Sequence, residues 1–263
     1  MEKYLLVLKN SIQNDLTYRF NTLIIFFSDT MLFAAFFYLW SSIYKQGGQI
    51  GNYTLEGIVL YYFAATFVAL VAKGDDIGWE VGDEIRLGKM TSVLLWPISY
   101  SKYNFFKFLG GYVYRGAIYS LLFLIIGVVL SRYLNFAIGL SNVLFLILSM
   151  SLGFVIYFLF FYAIALSTFW FGLVRGFNFA ASMIAFFLEG SIIPLDLLPS
   201  AVIQINNFLP FKYMMFVPVS IFTGKISPDW FTFLIPLTWI AVLYLLDKLL
   251  FIQGVKKYEG YGA

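Results

Sequence analysis

Residues 74–101 read GDDIGWEVGDEIRLGKMTSVLLWPISYS, the single long charged stretch inside a chain whose remainder is almost continuously apolar. Asp83 and Arg86 stand three positions apart, and Glu80 with Glu84 adds an acidic face, at the spacing where side chains on a helix meet. Leu87, Met90, Val93, Leu94 and Leu95 form an apolar stripe, Gly88 and Lys89 fall between its first two members, and Pro97 stops the run. A short loop would suffice to join two membrane spans. An amphipathic, mixed-charge helix in its place points to contact with another protein. The plainer alternative is a solvated helix packed only on its own spans. Asp75, Asp76, Glu80, Asp83 and Glu84 match no calcium-loop spacing, so no metal site is expected.

The chain around this segment has 263 residues, of which 61% are hydrophobic and 12% charged, with a mean hydropathy of +0.85. Soluble domains carry roughly twice that share of charge, so the composition places the chain in a bilayer. No polar stretch is long enough to build a separate soluble core. Cys and His are both absent, which removes disulfides, thiol nucleophiles and nearly all zinc chemistry. Apolar runs of the roughly 20 residues needed to cross about 30 Å of hydrocarbon recur along the sequence. They predict spans at about 22–44, 55–72, 108–130, 140–170, 177–193 and 230–252, the last with a kink at Pro236.

Two regions are not plain spans. Before the first, Leu5, Leu8, Ile12 and Leu16 recur at helical spacing among Lys3, Lys9, Gln13 and Asn14. This predicts an interfacial helix over 1–21 rather than a cleaved signal peptide. Before the last, residues 193–228 stay apolar yet hold Pro194, Pro199, Pro210, Pro218 and Pro228, five of the seven prolines. Short apolar pieces cut by prolines predict half-helices that dip into the membrane and return. Six crossings put both termini on one side, together with Lys3, Lys9, Arg19, Lys73, Arg86, Lys89, Lys102, Lys107, Arg175, Lys248, Lys256 and Lys257. The other side keeps Lys45, Arg132, Lys212 and Lys225. Positive residues stay cytoplasmic on insertion, so both termini and the charged segment are expected in the cytoplasm and the proline-rich piece outside.

In order and placement these features resemble the permease subunits of ABC type 2 exporters over nearly the whole length. The stretch EIRLGKMTSVLLWPIS (84–99) resembles that family's segment in which a charged start and a Gly precede "LL.PIS". GSIIPLDLLPSAVIQINNFLP (190–210) resembles the one whose prolines frame external half-helices. Within the family the chain is most similar to daunorubicin- or viologen-type export permeases. The resemblance implies an all-α polytopic fold, a single permease domain over 1–263, and a dimer with itself or a related permease. It further implies a cytoplasmic ATPase subunit docked on the helix after the second span, and location in a bacterial inner membrane. ATP and Mg would be bound by that partner. No GxxxxGK[ST] loop is present, so the chain is not expected to hydrolyse ATP, bind a cofactor or bind nucleic acid. The residues implied for coupling are Glu80, Asp83, Glu84, Arg86, Gly88, Lys89, Leu94 and Pro97.

Intramembrane charge is costly and marks function. Asp29, Arg115 and Glu189 are therefore candidates for the substrate pathway, with Pro194 and Pro199 framing an external gate. Arg115 either snorkels or pairs with Asp29, Glu189 is expected near the outer end of the fifth span, and Asp247 beside Lys248 reads as a boundary anchor. Three other classes compete: an ion-gradient-driven carrier, a membrane-embedded lipid enzyme, and a scaffold. The first would favour broken helices in two related halves; here the breaks cluster once. The second would need convergent catalytic groups, and no such cluster stands out.

Overall fold

In a computed structural model, residues 1–47, 51, 53–72, 76–134, 139–173 and 175–258 are described. Lys73, Gly74 and Asp75, and Gly48, Gln49, Ile50 and Asn52 of the Gly-rich turn after Lys45, lie outside them. The described chain is almost wholly helical: α1 (Glu2–Thr17), α2 (Arg19–Lys45), α3 (Leu55–Ala72), α4 (Asp76–Arg86), α5 (Met90–Leu94), α6 (Tyr100–Leu134), α7 (Leu140–Leu166), α8 (Thr168–Phe171), α9 (Arg175–Leu188), α10 (Ser200–Asn207), α11 (Phe216–Phe222) and α12 (Trp230–Val255). Two 3-10 turns, Leu195–Leu197 and Phe211–Tyr213, interrupt the proline-rich segment.

Among the described residues, five helical runs are long and apolar enough to cross a bilayer, built on α2, α3, α6, α7 and α12. The expected fifth span is shorter than its apolar pattern. α9 has 14 residues, a rise of about 21 Å against roughly 30 Å of hydrocarbon. The helix gives way at Glu189, and Gly190 takes a φ of 91° that side chains with a Cβ rarely adopt. α12 begins at a capping box, in which Thr232 N donates to Asp229 Oδ1 (2.8 Å) and Asp229 N to Thr232 Oγ1 (3.2 Å).

α3 and α7 form the inside of the bundle. The apolar run that starts with α3 is 61% buried, against 6% for α2, whose outer side is left for lipid or another chain. One cluster gathers on α3 from α2, α6 and α11. A second gathers on the latter half of α7 from α4, α5, α9, α11 and α12. Gly153 sets how closely the proline-rich segment approaches α7: a Cβ there would stand 2.7 Å from the Tyr213 carbonyl oxygen.

Side-chain contacts define two ends. At the first, Ser99 N donates to the Tyr4 hydroxyl (3.0 Å), Arg175 pairs with Asp83, and Thr91 meets Tyr258. The start of the chain, the charged segment, the α8–α9 turn and residue 258 therefore sit together, with most of the lysines and arginines counted above. At the opposite end, the Tyr44 hydroxyl donates to Tyr53 O (2.6 Å) and the Tyr53 hydroxyl to Asp196 Oδ1 (3.0 Å). Lys225 pairs with Asp196 and lies 3.6 Å over the Tyr53 ring.

α1 runs lengthwise beside the first half of α6. Tyr4 stacks on Phe106, Ser11 Oγ donates to Lys107 O (2.6 Å), and Asp15 lies beside Arg115. Its packed side thus steps through Tyr4, Ser11 and Asp15. Leu5 and Leu16 of the predicted stripe stay exposed, because the partner helix meets the adjacent face.

Candidate functional site

α4 buries Ile77, Val81 and Ile85, one residue per turn, against α7. Three of its acids are tied to basic residues of the chain, with Glu80 and Asp83 still partly exposed. Lys107 of α6 holds Glu80 (2.7 Å) and Glu84 (3.0 Å), and the Tyr100 hydroxyl donates to Glu84 Oε2 (2.9 Å). Asp83 takes Arg86 and Arg175 on its two oxygens, each at 3.1 Å. Half-exposed pairs of this kind contribute little stability, about 1 kcal/mol or less each. Their effect is to fix the rotation of α4. The acidic face is thus held by the chain's own basic residues while part of it stays open to solvent. Between α4 and the α8–α9 turn lies a shallow groove, open to solvent and lined by Trp79, Asp83, Arg86, Leu173 and Arg175.

Past Arg86 the chain turns through Gly88, whose φ is 76°, into α5. The predicted stripe splits here. Met90 and Val93 are buried, while Leu87, Leu94, Leu95 (81% exposed), Trp96 and Pro97 face outward, flanked by exposed Arg86 and Lys89. Five residues cannot hold a helix unaided, so the shape of this knob is imposed by its neighbours. Thr91 Oγ1 lies 3.1 Å from the Tyr258 hydroxyl, and Tyr258 sets its ring edge-on to Phe169 of α8. Trp96 packs edge-on to Tyr103, and Tyr4 receives the Ser99 amide. Sequence reading missed Tyr4 and Tyr258, since nothing in local spacing links them to residues 90–99.

Glu189 follows the last residue of α9, at the end of that helix as expected, and is fully buried (0% exposed) in the bundle. The hydroxyls of Tyr157 and Ser191 both donate to its carboxylate, and its carbonyl accepts from Phe216 N (3.0 Å). Tyr61 and Tyr62 of α3 donate to Gly190 O (2.8 Å) and Ile192 O (2.6 Å). α9 rises about 20 Å from Arg175 before reaching this knot, and Tyr61 sits about 9 Å into α3 from the opposite end. The knot therefore occupies the interior. Pro194 is buried behind it, and exposed Pro199 precedes α10.

Asp29 of α2 and Arg115 of α6 are half-buried, both within electrostatic reach of Tyr119. The neighbour of Arg115 over Gly111 is Asp15 of α1: a Cβ on that glycine would lie 3.2 Å from Asp15 Oδ2 and 3.5 Å from Arg115 Nη1. Burial pushes the Asp15 carboxyl above its usual range, and the Arg115 charge opposes the shift. Asp247 is no boundary anchor. It is 4% exposed, with no hydrogen-bond partner on either carboxylate oxygen among the described residues.

Charge counting places Lys212 at the outer end, but its backbone is drawn inward. Phe211 sets its ring edge-on to Phe160 of α7 at 5.1 Å, and the Tyr213 and Met214 carbonyls lie on Gly153. Lys212 Nζ donates to Asn207 Oδ1 (2.7 Å), and Asn206 Nδ2 donates to Leu188 O (2.8 Å) at the end of α9. The signal was present in the sequence as one lysine inside FLPFKYMMFVP (208–218). Counting Lys212 by side, rather than placing it within the half-helices expected to dip into the membrane, concealed it.

Residues 30–262 match the family described as ABC-2 family transporter protein. Comparison with curated proteins finds no match.

Proposed function

The chain belongs to the ABC-2 family of transporter proteins, and we propose that it is the membrane-spanning permease subunit of an ATP-driven exporter. It moves a hydrophobic or amphiphilic molecule outward while a separate ATPase subunit, carrying ATP and Mg, supplies the energy. The observation that carries this reading is the apolar knob Leu94–Pro97, held on a charge-locked platform at the basic end. Basic residues mark the cytoplasmic side, so the knob faces the compartment that holds ATP, with Tyr4 and Tyr258 beside it. α9 is a short sixth crossing, completed by the proline-rich segment as a re-entrant piece open to the outside. Glu189, Pro194 and Pro199 belong to the gate at its root, and Asp29 and Arg115 to the flank of the pathway. Two copies, or one with a related permease, form the working unit in a bacterial inner membrane, within the daunorubicin- or viologen-type group. One observation favours an ion-gradient-driven carrier as second reading: buried Asp247, a carboxyl with no hydrogen-bond or ion-pair partner among the described residues.

The test is affinity purification of the tagged chain in mild detergent, co-expressed with the ATPases encoded beside it. Leu95→Asp/Trp96→Ala serves as the contrast, because Glu84 anchors α4 and its loss would confuse docking with folding. Co-purification of a Walker-type ATPase with wild type, lost in the double variant, upholds the exporter. A well-folded chain that never retains an ATPase turns the assignment to the carrier.

A further inference from the structure

Lys212 combines three properties. Its Cα sits between Phe211, packed on Phe160 of α7, and Tyr213, whose carbonyl lies on Gly153 of α7, in the segment that Asn206 ties to the end of α9. Its ammonium has no ion-pair partner among the described residues; it touches the amide oxygen of Asn207 and lies 5.3 Å from the Tyr213 ring centroid. The surface around that bond is apolar and uncovered: Phe208, next to Asn207, is 81% exposed, and Ile205, one helical turn before Phe208, is exposed as well. An ammonium held inside a bilayer without a counter-charge is costly unless water or a bound anion answers it. A neutral amide orients the amine and leaves its charge uncompensated. Aromatic and aliphatic side chains beside it suit a hydrocarbon or ring system. One kind of ligand satisfies all three conditions.

We propose that Lys212 and Asn207, with Phe208 and Ile205 beside them, form a binding point for an anionic amphiphile, one acidic head on an apolar body, as the exported molecule. The assignment rests on the exporter reading above and narrows its cargo to this charge class. Lys212 takes the acidic head, Asn207 holds the amine in position, and Phe208 with Ile205 carries the apolar part.

The test uses the whole permease in nanodiscs of zwitterionic phosphatidylcholine. The probes are a fluorescent dodecanoic acid and the dodecylamine derivative of the same fluorophore. Wild type is expected to bind the acid saturably. Lys212→Met weakens it by about tenfold or more, the range for losing a hydrogen bond to a charged group. Lys212→Arg stays near wild type, Asn207→Ala loses less than Lys212→Met, and amine binding is the same in all four. Acid binding that is absent in wild type, as when a second copy covers this face, or that survives Lys212→Met in a protein of unchanged melting temperature, overturns the proposal. With the co-purified ATPase present, the acid should stimulate ATP hydrolysis in wild type and not in Lys212→Met. If phosphatidylglycerol added to the nanodiscs displaces the acid and neither changes ATP turnover, the site holds a resident lipid and the cargo role falls. If no ATPase is retained, the exporter reading fails, and the binding measurement still decides whether Lys212 takes the anion.

Discussion

The charged segment at the basic end and the proline-rich segment in the interior handle charge in opposite ways. In residues 76–99 the acids are tied inward to Lys107 and Arg175, and the outermost surface is Leu94, Leu95, Trp96 and Pro97. In residues 189–216 the Glu189 carboxylate is sealed under two hydroxyls while the Lys212 amine stands at the edge among exposed apolar groups. The first arrangement makes a rigid apolar contact for a protein. The second leaves one polar point facing an apolar space. Net charge would not have separated them; the difference lies in which charges find partners within the chain.

The contrast can be broken most forcefully at the knob. Leu95→Asp/Trp96→Ala is expected to weaken ATPase retention by about 30-fold or more, as when central interface anchors are lost, and titration of the purified ATPase onto immobilised permease reads it. Next in size, Glu189→Ala leaves the Tyr157 and Ser191 hydroxyls buried without their acceptor. It should cost about 1–3 kcal/mol of stability, seen as a lower melting temperature, with Glu189→Gln losing less. Smaller again, Tyr258→Phe and Thr91→Val each remove one hydrogen bond and should lower ATPase affinity by about two- to tenfold. Thr91→Ser should restore it, the double variant should be no worse than either single, and melting should stay unchanged. The smallest effect belongs to Glu80→Gln, expected to change stability by under about 1 kcal/mol because the pair is half-exposed. A large loss at Glu80 would mean that the platform depends on charge far more than its exposure implies.

Much of the architecture was legible from pattern. The predicted first span, 22–44, falls within α2, and the predicted second, 55–72, coincides with α3, because polar and glycine-rich turns bound uninterrupted apolar runs. The charged segment read correctly as helical. Its ion-pair partners were not legible, since Lys107 lies 23 residues beyond Glu84 and Arg175 lies 92 beyond Asp83, and no periodicity carries pairing at that distance. The fifth span ran long on paper because Ile192 and Ile193 continue its apolar pattern. What ends α9 is the bonding of Glu189 to α7 and of Gly190 to α3, visible only once the helices are assembled. Lys212 was counted by side rather than by depth for the same reason.

The brace of Tyr258 on Thr91 also has a consequence for the order in which the protein is made. α5 leaves the ribosome early, while the side chain that steadies it is added more than 160 residues later. At common elongation rates of about 5–20 residues per second, that is a delay on the order of ten seconds. During this interval the knob exists as sequence without its final shape. An ATPase that reads the shape would bind chains translated through residue 258 about two- to tenfold more tightly, so unfinished permeases would be at a disadvantage in assembly.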